Sequence, residues 1–189
     1  MKKSLGAKTL AYPVPVWLIA TYDGTGRANA MTASWAGVCC SKPPCVSVSL
    51  RKATYTYGSL VARRAFTVNV PPVELAAETD YLGMVSGRQE DKLAKLGLAT
   101  SRSELVDAPI VDTCPLVLEC RLIHDLEIGL HTLFVGEILD VKADDSVLGD
   151  DGLPDVDLLK PFVYSPEARR YHALGDEVGR SRVLAAKLR

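Results

Sequence analysis

Short runs of alternating apolar and polar residues, separated by glycine, proline and aspartate, set the pattern of this chain. Val46-Ser47-Val48-Ser49-Leu50 alternates strictly, which suits a strand with one buried face, because side chains along a strand point to opposite sides in turn. Phe66-Thr67-Val68-Asn69-Val70 repeats the pattern, and Pro71-Pro72 stops it. Residues 16–22 predict another strand, and Asp23-Gly24-Thr25-Gly26 a turn that needs glycine's access to positive φ. Residues 28–35 then form the second arm of a hairpin. Two longer runs, 116–126 and 130–141, have cores separated only by Glu127, Ile128 and Gly129, and predict a further antiparallel hairpin.

Helical spacing interrupts the strands at residues 57–64, 73–82 and 88–96. The last segment carries Glu90, Asp91, Lys92 and Lys95 on its expected wet side. Many strands with a few inserted helices predict a mainly β protein of barrel type with helical decorations. The polar tail beyond Gly175 lacks strand patterning and predicts a loosely docked helix. No internal repeat or low-complexity segment is visible.

A length of 189 residues suits one domain spanning 1–189. With 48% hydrophobic and 24% charged residues, a soluble globular protein is expected. The net charge of -1 gives no bulk attraction for nucleic acid or an anionic membrane, so any bound anion needs a local cationic cluster. After Met1-Lys2-Lys3 the apolar stretch is broken by Lys8, Pro13 and Pro15, and only residues 16–20 are continuously apolar. That is too short for a secretory core or a membrane span, so a cytoplasmic location is expected. The five cysteines, Cys39, Cys40, Cys45, Cys114 and Cys120, include no Cys-x-x-Cys. They predict buried, reduced thiols rather than a disulfide framework or a metal site.

Three clusters carry candidate chemistry. Asn29-Ala30-Met31-Thr32-Ala33-Ser34-Trp35 places small and hydroxyl side chains on a strand that ends in one of two tryptophans. Such a segment lets a flat ligand approach the backbone beside a stacking indole; it is also what an edge strand with a core tryptophan looks like. Ser49-Leu50-Arg51-Lys52-Ala53-Thr54-Tyr55-Thr56 sets two cations beside hydroxyls at a helix start, which is phosphate chemistry or a solvated loop with a threonine cap. Ser86-Gly87-Arg88 ahead of a helix is either a second anion nest or an ordinary turn. Histidines 124, 131 and 172 have no metal-ligand spacing, and neither a nucleophile elbow nor a Walker-type loop is present.

In order and spacing, these segments resemble the flavin reductase-like family of FMN-binding split barrels, in particular its flavoredoxin branch. The resemblance runs from about Pro13 to Gly175. It rests on Asn29 to Trp35, Ser49 to Thr56, Phe66-Thr67-Val68-Asn69, Ser86-Gly87-Arg88 with Asp91-Lys92, and His131-Thr132-Leu133-Phe134-Val135-Gly136-Glu137. It implies a split β-barrel of Greek-key type and a homodimer with one FMN per subunit near the interface. Asn29, Met31, Thr32, Ala33, Ser34 and Trp35 would line the isoalloxazine. Ser49, Leu50, Arg51, Thr54, Tyr55 and Thr56 would form the phosphate loop, helped by Ser86, Gly87 and Lys92. His131 and Tyr164 would lie near the ring face, where the nicotinamide of NAD(P)H stacks. Hydride transfer to flavin requires no protein acid or base, so no catalytic residue is assigned. The implied activity is an NAD(P)H-dependent flavin reductase-like oxidoreductase. The alternative is an electron carrier that keeps FMN and exchanges electrons with a redox protein.

Overall fold

Both strictly alternating segments become strands of one large antiparallel sheet. The structure, a computed structural model, describes residues 1–186 and 188. In chain order its elements are β1 (Val14–Pro15), β2 (Trp17–Tyr22), β3 (Ala28–Ala33), β4 (Ala36–Ser41), β5 (Pro44–Arg51), α1 (Tyr55–Arg63), β6 (Ala65–Val70), α2 (Ala76–Met84) and α3 (Lys92–Lys95). They continue with β7 (Thr100–Arg102), β8 (Pro109–Val111), β9 (Leu116–Ile128), β10 (His131–Ala143), α4 (Val156–Leu159), β11 (Phe162–Ser165), β12 (Arg170–Ala173) and α5 (Val183–Ala186).

Seven strands pair in the order β3-β2-β6-β9-β10-β5-β4. β3 and β4 thus occupy opposite edges, yet only Ser34 and Trp35 separate them in sequence. Such a link reaches at most about 11 Å, whereas the edges of a flat seven-stranded sheet lie roughly 29 Å apart. The sheet therefore has to curl until its edges meet. Where they do, the Ser49 N–H donates to the Trp35 carbonyl at 2.8 Å. The result is the expected mainly β Greek-key barrel with inserted helices, and β1, β11 and β12 form a small separate sheet.

The barrel interior holds Ile19, Val46, Val48, Leu50, Phe66, Val68 and Phe134 among others, with Leu60 of α1 plugging it. A second cluster lies on the other face of β2 and β3, where Leu18, Ala20 and Ala30 pack with Leu82 of α2, Leu93 of α3 and Val111 of β8. Two clusters on opposite faces explain one departure from expectation. Alternation in β6 predicts one wet face, but all six of its residues are buried. Thr67 and Asn69 are satisfied internally: Thr67 Oγ1 donates to the Pro109 carbonyl, and Asn69 Oδ1 accepts from Val111 N–H at 2.8 Å. The polar half of the pattern is a buried hydrogen-bonding strip, not a solvated one.

Other departures have equally local causes. The helix expected over 88–96 shrinks to the four residues of α3, because Asp91 is its N-cap and accepts from Ala94 N–H at 3.1 Å. Lys92, expected on the wet side, is buried. Cys45, Cys114 and Cys120 are buried as expected, with burial pushing the Cys114 thiol up to about 12. Cys39 and Cys40 are instead exposed, because β4 is an edge strand whose last four residues face outward. The 116–141 hairpin forms, turning at Gly129 and Leu130 with Gly129 at φ +52°. Among the described residues beyond Gly175 only the short α5 is helical, and its residues are exposed; residues 187 and 189 of the expected tail helix lie outside the described residues. Among the described residues no helix is long and apolar enough to cross a membrane, and no cluster of metal-ligating side chains occurs.

Gly136 of β10 faces the barrel axis, where an added Cβ would overlap the Phe66 ring, standing 2.7 Å from Cε1. Phe66 is fully buried and cannot swing aside. Gly136→Ala is expected to lower the unfolding free energy by about 1–3 kcal/mol, read from the midpoint of a urea transition. An unchanged midpoint would contradict this packing.

Candidate functional site

Barrel closure brings the end of β3, the Ser34-Trp35 link, the end of β5 and the start of α1 to one place, with α2 as the facing wall. Between them lie two adjoining cavities of about 290 and 260 Å³ that share Met31, Arg51, Thr54, Gly83 and Met84. They form one elongated groove with a polar end and a flatter, half-apolar end.

The polar end is built at the N-terminus of α1. Thr54 occupies the N-cap position, but its hydroxyl donates to the Arg51 carbonyl at 2.9 Å and caps no helix N–H. The first-turn amides and the positive end of the helix dipole are thus free for an anion. Thr56, almost fully buried, accepts from Asn29 Nδ2 at 2.9 Å, so its own O–H is left to donate into the cavity it lines. Arg51, on the exposed end of β5, has no carboxylate partner among the described residues. Its neighbour Lys52 is engaged with Glu127 at 2.6 Å and lines neither cavity.

Lys92 reaches the same end from α3. Its Nζ donates to the Leu82 carbonyl at 2.7 Å, which uses one of three ammonium donors. Burial pushes this ammonium down to about 8, while nearby Glu90 pulls it the other way. A buried cation with unspent donors, an open guanidinium and a hydroxyl aimed inward make a site for a multiply charged anion.

The flatter end is walled by small residues and rings. Ala33 and Ser34 leave room for close approach to the backbone. The rings of Trp35 and His131 lie parallel, 6.5 Å apart at an interplanar angle of 6°. His131 stands there because β10 places it directly opposite Arg51 of β5. Across the cleft, the rings of Tyr164 and Tyr171 are 5.0 Å apart, and Tyr171 O–H donates to Asp80 at 2.8 Å. Burial, then this bond, raise the Tyr171 phenol well above its ordinary value, so it stays protonated.

Every residue expected at the site lines one of the two cavities except Asn29, which stands one layer behind and holds Thr56. The α2 wall, Asp80, Gly83 and Met84, was not foreseen, nor was Tyr171. Gly83 is the one sequence signal for that wall: a Cβ there would come within 3.1 Å of Thr32 Cβ, a tight contact that glycine avoids where the helix closes on the strand. Also unforeseen is a network behind the polar end. The buried Asp23 carboxylate accepts from Thr25, from Arg27 and from Tyr55 O–H, the last at 2.7 Å, while Arg27 Nη2 donates to the Gly87 carbonyl at 2.9 Å. Burial alone would raise the Asp23 carboxyl, but the bonds from Thr25, Tyr55 and Arg27 outweigh it and hold the group well below the usual carboxylate range.

A family model described as "Flavin reductase like domain" matches residues 9–175. The chain belongs to the flavin reductase-like family. This flavin reductase-like protein is 50% identical to the flavoredoxin of Desulfovibrio vulgaris (Miyazaki F), with a TM-score of 0.93 over 98% of this chain and 100% of that one. It is also similar to an FMN-binding domain of a flavin reductases-like enzyme from Shewanella baltica, at 25% identity and a TM-score of 0.77 over 88% and 89% of the two chains. Among curated proteins it is 27% identical over 125 residues to a ferric-chelate reductase (NAD(P)H) of Archaeoglobus fulgidus, covering 66% of this chain and 73% of that protein.

Proposed function

We propose that this protein binds FMN in the groove and works in the cytoplasm, as a homodimer, as an NAD(P)H-dependent flavin reductase-like oxidoreductase. The observation that carries the reading is one continuous groove with a built anion site at one end and a flat, ring-walled cleft at the other. FMN has the same division, a phosphate joined to a planar tricycle. The fit has a further mark at Gly87, where any Cβ would collide with Asn29 and the Tyr55 ring, so the backbone itself forms the cradle.

Arg51, Thr56, Lys92 and the first-turn amides of α1 would hold the phosphate, with Thr54, its own donors spent on the Arg51 carbonyl, shaping the loop and Ser86 and Gly87 closing over it. Each charge-assisted bond contributes about 1.5–3 kcal/mol, so a few of them offset the burial of a phosphate carrying close to two negative charges. Residues 31–35 would lie along the isoalloxazine edge, and the rims at Trp35/His131 and Tyr164 leave a slot for a nicotinamide ring. Bound FMN supplies an acceptor for a hydride from NAD(P)H and a donor of electrons to the next acceptor. The protein's part is positioning, and no side chain is assigned as acid or base. Large apolar side chains exposed on β4 and at the β9–β10 tip, Val38, Leu126, Ile128 and Leu130, support the homodimer.

A second reading is favoured by the 50% identity to a flavoredoxin: an electron carrier that retains FMN and exchanges electrons with a redox protein. An anaerobic titration of the FMN-loaded protein with NADH and NADPH separates the two. Bleaching of the visible flavin band at one equivalent of either nicotinamide is the expected result. A band that persists with both, but is lost with a reduced ferredoxin-type protein, would overturn the reductase in favour of the carrier.

Lys92 adds a pH signature. In the ligand-free protein it is cationic only below about pH 8, whereas a phosphomonoester stays dianionic down to about pH 6. Between these values FMN affinity should be flat. As pH rises through about 8 it should fall by up to about tenfold per unit, because binding then takes up one proton. Lys92→Met should bind more weakly at neutral pH and lose this alkaline dependence, as followed by flavin fluorescence. A variant that keeps the wild-type profile would remove Lys92 from the phosphate site.

A further inference from the structure

Arg27 lies in the β2–β3 turn, 60 residues before Gly87, and lines neither cavity, yet it is tied to the groove's polar end. We propose that Arg27 is a positioning residue that keeps the Ser86-Gly87-Arg88 segment in its anion-accepting form, a role that rests on the FMN reading above.

Arg27 is itself fixed before it reaches Gly87. Its Nε donates to Asp23 Oδ2 at 3.2 Å, and its backbone N–H donates to Asp23 Oδ1 at 3.0 Å. Asp23 Oδ1 also accepts from Thr25 N–H and Oγ1 at 2.8 and 2.7 Å, and Oδ2 from Tyr55 O–H at 2.7 Å. Arg63 Nη2 donates to the Asp23 carbonyl at 2.6 Å, which anchors the turn to α1. The guanidinium fork therefore points one way, with Nη2 on the Gly87 carbonyl.

Holding that carbonyl has two consequences for an anion. A trans peptide is planar with its C=O and N–H opposed, so fixing the Gly87 oxygen also fixes the Arg88 N–H, which donates to Ser86 Oγ at 3.3 Å and leaves the Ser86 O–H to donate at the cavity that Ser86 lines. The carbonyl oxygen, the negative end of the peptide dipole, is thereby turned away from the cavity instead of facing a phosphate. Arg27 also neutralises Asp23, whose carboxylate lies directly behind Tyr55, a residue of the cavity wall. Without the guanidinium, a buried negative charge would stand uncompensated one side chain from the phosphate. Both effects act on the phosphate and leave the isoalloxazine end untouched.

Riboflavin, which is FMN without the phosphate, makes the role testable. Dissociation constants for FMN and riboflavin are measured on apoprotein by flavin fluorescence for wild type and Arg27→Met, alongside thermal midpoints. The expected result is an FMN Kd raised about tenfold or more with riboflavin binding changed less than about twofold. Should Arg27→Met fail to fold, Arg27→Lys keeps the charge but loses the fork, and a selective FMN loss of about threefold is expected. Equal losses for the two ligands, or an unchanged FMN Kd, would overturn the positioning role while leaving the FMN site standing. Wild-type protein that binds FMN no more tightly than riboflavin would overturn the phosphate assignment, and this role with it.

Discussion

The two-residue link between β3 and β4 is the constraint on which the rest of the structure depends. Ser34 and Trp35 join strands at opposite edges of a seven-stranded sheet, so the sheet can satisfy its pairing only by closing on itself. Closure sets the end of β3 against the end of β5, where Ser49 N–H bonds the Trp35 carbonyl. The chain then leaves β5 through Arg51 and enters α1 four residues later, at Tyr55. A helix N-terminus, a strand-end arginine and a ring-bearing link thus converge because of topology, not through any one local motif.

Electrostatics at that convergence follow from an almost neutral chain. A net charge of -1 offers no long-range pull on an anion, so the cationic character is concentrated at Arg51, Lys92 and the start of α1. Lys92 carries the desolvation cost of this arrangement, visible in its depressed ammonium. The nearest buried carboxylate, Asp23, has its acceptor capacity filled by five donated bonds, so its charge is spent inside the turn. Local pairing of this kind would let one groove hold an anion while the surface as a whole stays close to neutral.

How much of this was legible in the sequence depended on whether a residue's role was local. β5 and the β9–β10 hairpin were readable because their alternation matches the buried face they present. β6 was readable as a strand but not as a doubly buried one, since Thr67 and Asn69 look solvated until β8 supplies their partners. β4 left no alternating signal because Ala36, Gly37 and the exposed Cys39 and Cys40 lie on an edge. At the candidate site, the contiguous segments 31–35 and 49–56 carry their own chemistry, and both contribute to the lining of the groove. Asp80, Met84 and Tyr171 enter only through packing of α2 and β12, and Arg27 only through a contact 60 residues away. Lys92 was assigned to the phosphate from family resemblance, while its burial, hidden by a four-residue helix, contradicts the wet face read from periodicity.

In the proposed FMN site, the phosphate lies at the α1 end of the groove that barrel closure forms. A crystal structure of the protein grown with FMN tests this most directly. Phosphate density is expected within hydrogen-bonding reach of Arg51, Thr56 and Lys92, with the tricycle lying along residues 31–35 beside Trp35. Flavin density elsewhere, or a reversed ligand with its phosphate between Trp35 and Tyr164, would contradict it.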